Sequence, residues 1–181
     1  MKWFSTFSAI ICALSIGINA TPAAFPDSAL QARADEETAT YQKVIAAHPG
    51  AEPGKRYAFT LAWPMKTDGD DKTNALHQKL GCGHIALVVG EVKKTETGPK
   101  KKPSTKLDFQ GFVYGAKGIP SIEAIKTNFY ASSNTLTFVK QTSKTDAQIK
   151  AHGQAYVAAN PTYDHDDNNC DHYVQDLKSF I

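Results

Sequence analysis

The run Ile85-Ala86-Leu87-Val88-Val89-Gly90-Glu91-Val92 constrains the fold more than any other stretch of the chain. It is β-branched and almost continuously apolar, the composition of a strand buried within a sheet. Leu107 to Tyr114 then alternates apolar and polar residues, and reads as a second strand paired with the first in a β-hairpin. Lys93 to Lys106, between them, is rich in Lys, Thr, Pro and Gly and is expected to be a long loop. Its Lys100-Lys101-Lys102 triplet reads first as a solvated loop tip and second as a contact for an anionic surface.

Other elements arrange themselves around this hairpin. Glu36 to His48 has a helical face of Tyr41, Val44, Ile45 and His48, ended by Pro49-Gly50. Tyr57 to Trp63 has strand composition and stops at Pro64, and Thr135 to Lys140 is a further strand. Thr73 to Leu80 reads as a short helix, as does the segment from Ile119 to Ile125. Thr145-Asp146-Ala147-Gln148 has capping-box spacing and opens a helix to about Ala159, which Asn160-Pro161 ends. With 181 residues, no internal repeat and no boundary signal, the expectation is one domain over residues 56–181. It follows a lead-in, 21–55, that carries one helix.

Residues 1–20 have the form of an export signal: Lys2, an apolar run from Trp3 to Ile18, then Asn19-Ala20 suited to cleavage. The run is short and diluted by Ser and Thr for a membrane span, and no later segment is long and apolar enough for one. The mature protein is therefore expected to be secreted. Lys2 is the only charge in the signal, so its removal lowers the formal net charge of +2 by one. A nearly neutral domain gives no general reason to expect nucleic acid as partner. Of the three cysteines Cys12 leaves with the signal, and Cys82 and Cys170 remain in an oxidising compartment where they can pair.

The chemistry centres on Asn168-Asn169-Cys170-Asp171-His172-Tyr173-Val174. Val174, Leu177 and Ile181 recur at helical spacing, so Cys170 falls at the start of a C-terminal helix capped by Asn168 or Asn169. The partial positive charge of a helix N-terminus favours thiolate, and a thiolate nucleophile needs a proton-carrying partner. His84, at the mouth of the central strand, is the candidate. For a lone His the usual reading is structural; Cys170 at a helix start is what shifts the balance.

Asn169-Cys170-Asp171-His172-Tyr173-Val174 resembles the Asn-Cys-Glu-His-Phe-Val signature of lecithin retinol acyltransferase-like proteins, in the circularly permuted branch of the NlpC/P60, papain-like superfamily. Gly83-His84 and the apolar run to Gly90 are similar to that family's His strand, which likewise precedes the Cys helix. The resemblance spans roughly residues 80–178. It implies an α+β fold in which helices pack on an antiparallel sheet of about four strands, with Cys170 as nucleophile and His84 as general base. It also implies amide or ester bonds of peptides, cell-wall peptides or acyl lipids as substrates, and no cofactor. The family's second His is not matched, and Asp108, Gln110 and Tyr114 stay open as the group orienting His84.

Two further readings accompany this one. Asp164, His165 and Asp166 offer metal donors, but the Gly and terminal acid of a calcium loop are missing, and solvated loop residues are the simpler account. Cys82 lies two residues from His84 and, in an extended segment, points to the same side. A Cys82–Cys170 bridge would add about 2–4 kcal/mol of stability and silence the nucleophile. The expectations are thus a secreted, monomeric thiol hydrolase or acyltransferase, or a catalytically silent interaction protein on the same scaffold.

Overall fold

The computed structural model describes residues 36–100, 103–119 and 121–181. The proposed export signal and its cleavage point lie outside the described residues, as do Lys101 and Lys102 of the lysine triplet. The elements in order are β1 (Glu36–Glu37), α1 (Ala39–Ala47), β2 (Arg56–Trp63), α2 (Asp71–Leu80), β3 (His84–Thr97), β4 (Ser104–Lys117), β5 (Glu123–Asn128), β6 (Thr135–Gln141), α3 (Asp146–Ala159) and α4 (Cys170–Phe180). The class is α+β. The described strands form one curled, six-stranded sheet of order β1-β4-β3-β2-β6, with β5 also on β4.

The sheet differs from the expected antiparallel one of about four strands, because β1 runs parallel to β4 and makes it mixed. The cause is local: Thr38 donates its N–H to Leu107 O and caps α1, so the chain lies alongside β4 before turning into the helix. Where a helix is expected within Ile119–Ile125, residues 123–125 instead begin β5, which pairs with β4 from Phe112↔Asn128 to Lys117↔Glu123. Ile125 and Thr127 on one side, with Ala124 and Lys126 on the other, fit the pleat once an edge of β4 is open to pairing.

The expected long loop is mostly strand. β3 and β4 pair out to Thr97↔Ser104, leaving a short connection with Gly98 at φ 91°. Its threonines favour extended backbone, and Lys93–Glu91 (2.6 Å) and Lys94–Glu96 (3.1 Å) pair along β3.

Alternation along β3 divides the core into two. Ala86, Val88 and Val92 pack with Phe59, Leu61, Phe109 and Val113 under α1, whose Tyr41 and Val44 are buried there. Leu87 and Val89 face the other way, against Tyr114, Ile149 of α3, and Tyr173, Val174 and Leu177 of α4. A strand covered on both faces needs the continuous apolar run seen here, and each buried Leu or Val contributes roughly 1.5–3 kcal/mol. Between the helices Gly153 permits the closest approach: a Cβ there would collide with the Tyr173 hydroxyl.

Candidate functional site

The start of α4 is fixed by Asn169, which is 1% exposed. Its Oδ1 accepts from the N–H groups of Asp171 (3.0 Å) and His172 (3.4 Å), while its own N–H donates to His172 Nδ1 at 3.4 Å. This is a reciprocal capping box, with Asn169 and not Asn168 as the cap. Asn168 instead ties down the preceding loop, donating to Asn160 O and Thr162 O and accepting from the Tyr156 hydroxyl at 2.8 Å. Cys170 is thereby held as the first residue of the helix, buried against β3.

Burial dominates its chemistry. The thiol is pushed above its ordinary value first by desolvation; the Ile85 N–H, which reaches the sulfur, works against this, and Cys82 and Asp171 raise it further. The helix N-terminus does not overcome that burial, so the depressed thiol pKa expected from the sequence is not what these surroundings produce. The Tyr163 hydroxyl lies within hydrogen-bonding reach of Cys170, and burial holds the phenol at about 12. Cys82 is likewise buried and, like Cys170, a free thiol.

His84 occupies the other face. Its ring lies 5.2 Å from that of Trp63, tilted by 50°, and lines a cavity with Leu61, Ala86 and Val113, residues of the α1 side. The Ile85 N–H, one residue along from His84, reaches the Cys170 sulfur. His84 shares its parity with Ala86 of the α1 side, whereas α4, which Cys170 opens, packs on the Leu87 and Val89 side. Cys82 does not follow His84 either: Gly81 ends α2 in the left-handed region at φ 69°, and residues 82–83 bend before the strand begins. Gly83 passes so close to Pro64 O that a Cβ would meet it at 2.5 Å. The His84 N–H then points back to the Cys82 sulfur, which stays near Cys170.

The three residues considered as orienters serve elsewhere. Asp108 accepts from the Thr38 and Thr40 hydroxyls at 2.7 and 2.8 Å, and Gln110 donates to it at 3.3 Å. Burial opposes the charge on Asp108, but these hydrogen bonds together hold its carboxyl below the usual range. Tyr114 pairs with Leu87, not His84, and donates to Asp146 at 2.9 Å. Asp146 also bonds Arg56 at 2.6 Å. Asp108, Gln110, Arg56 and Asp146 line a separate cleft of about 590 Å³ in which opposite charges largely answer one another.

The acidic loop is closed on itself. Asp164 Oδ1 accepts from the N–H groups of Asp166 (2.8 Å) and Asp167 (3.0 Å), and those bonds hold its carboxyl below its ordinary value. His165 meets Thr73 Oγ1 at 3.1 Å. Asp164, His165 and Asp166 do not converge, and among the described residues no group of three or more metal-ligating side chains does.

Tyr163 beside Cys170, and Trp63 beside His84, are the site residues missed by the sequence reading. Parity offered a signal for the second. If α4 covers the Leu87 and Val89 face, an even-numbered His84 falls on the other one. Comparison with family models, with curated proteins and with solved structures finds no match to this chain. Among the described residues no helix is long and apolar enough to cross a membrane.

Proposed function

We propose that the chain is a secreted binding protein on a circularly permuted papain-like scaffold, without Cys170–His84 hydrolysis. One observation supports this reading: the His84 ring stands beside Trp63 on the α1 side of β3, while α4, which begins at Cys170, packs on the other side. A nucleophilic thiol needs a base within about 3 Å or through one water. On the Cys170 side the nearest titratable hydroxyl is Tyr163, whose pKa of about 12 makes it a poor base near neutral pH. The order of His strand before Cys helix, and the capped cysteine, still support the scaffold.

In this reading Cys82 and Cys170 form a structural pair. Exchange with a small disulfide would join their sulfurs, break the small disulfide's S–S bond and pass the two thiol protons to its halves, which leave as two thiols. The test of silence is turnover of peptide-amide and acyl-ester substrates by the reduced protein. No difference between the wild type and Cys170→Ala is expected. Turnover abolished in both Cys170→Ala and His84→Ala would overturn the reading and restore the hydrolase.

A further inference from the structure

The cavity beside His84 has the features of a ligand site. It encloses about 360 Å³, within the range of small-molecule pockets. Leu61, Ala86 and Val113 form an apolar floor, Trp63 gives an aromatic wall, and no charged side chain is among the lining residues. Thr127, Asn128, Ser132 and Asn134 add neutral polar groups, and His84 is the one imidazole among them. Among the described residues its only ring contact is with Trp63, and no hydrogen bond reaches either ring nitrogen. Burial, and then His77, lower its pKa, so near neutral pH it offers one donor and one acceptor without charge. The half-buried imidazole therefore keeps a donor and an acceptor open to a ligand atom in the cavity. Tyr130, 69% exposed, stands at the rim as a large aromatic with one face free.

We infer that this cavity binds a small, uncharged aromatic molecule, its ring against Trp63 and one polar group on the His84 imidazole. The inference rests on the binding reading above, in which His84 is not a catalytic base. A carboxylate or ammonium ligand would lose its hydration with no opposite charge to meet it, and so is selected against. An aliphatic chain would forgo the stacking that Trp63 and Tyr130 offer.

The test uses the full chain carrying Trp3→Phe, in which Trp63 is the only tryptophan and so reports on its own wall. Trp63 emission is followed during titration with 1-naphthol, naphthalene and 1-naphthoate. Saturable quenching by 1-naphthol at one molecule per chain is expected, with 1-naphthoate at least about tenfold weaker. His84→Phe keeps a ring in place and should weaken 1-naphthol by about three- to tenfold while leaving naphthalene unchanged. Thr127→Phe, at an exposed cavity-lining position, should obstruct all three probes. Absence of saturation up to the solubility limit, equal binding of 1-naphthoate, or indifference to both substitutions overturns the inference. The hydrolysis assay at Cys170 reads a different face, so failure of one proposal is distinguishable from failure of the other.

Discussion

The imidazole of His84 lies against the indole of Trp63, ring centroids 5.2 Å apart, on the face of β3 opposite the one covered by α4. On the α4 side His84 would be a base for Cys170; on the α1 side it is a neutral hydrogen-bonding group in an aromatic cavity.

The pH behaviour of that pair follows from burial. Desolvation, then the nearby His77, lower the His84 pKa from its ordinary value of 6.5. The unfolded chain therefore binds the proton more readily than the folded one. The stability linked to His84 is complete above about pH 6.5 and is lost as pH falls toward the folded value. Imidazole NMR shifts should give a His84 midpoint below 6.5. A midpoint at or above that value would mean an imidazole stabilised by an anion, and would contradict the placement in an uncharged cavity.

Gly153 should resist a change that helix propensity favours. Gly→Ala inside an exposed helix gains about 1 kcal/mol. Here the added methyl would strike the Tyr173 hydroxyl and push α3 from α4. Gly153→Ala should therefore lose roughly 1–3 kcal/mol in denaturant melts. A neutral or stabilising result would show that the two helices pack less closely than described.

Cys82 and Cys170 should close on mild oxidation. Both are buried free thiols, and the bend after Gly81 leaves Cys82 in the electrostatic neighbourhood of Cys170. Incubation with a small disulfide should yield an intact mass two hydrogens lighter and a stability gain of about 2–4 kcal/mol. A stable mixed disulfide on either residue, with no internal bridge, would count against their adjacency.

The sequence made some of this legible and hid the rest for definable reasons. The Ile85–Val92 run, the Thr145 capping box and the Cys170 helix start were readable because each is written within a few consecutive residues. The parallel β1 was not, since two residues carry no periodicity and their pairing depends on Leu107, far along the chain. β5 looked helical because its pattern is short, and the open edge of β4 decided its state. Asp108, Gln110 and Tyr114 were reasonable partners for His84 on residue type alone. Thr38, Thr40 and Asp146, distant in sequence, are what occupy Asp108 and Tyr114. The motif around Cys170 likewise suggested an activated thiol, because burial beneath Tyr163 and beside Ile85 is a tertiary property.

The most direct test of the account is the pH dependence of Cys170 alkylation in the reduced native protein, with Cys12→Ala and Cys82→Ala to isolate one thiol and with His84→Phe added. The account predicts slow labelling at neutral pH, a rise only above the ordinary thiol range, and the same profile with or without His84. Rapid labelling near pH 6–7 that His84→Phe abolishes would contradict it, by showing that thiol and imidazole act as a pair.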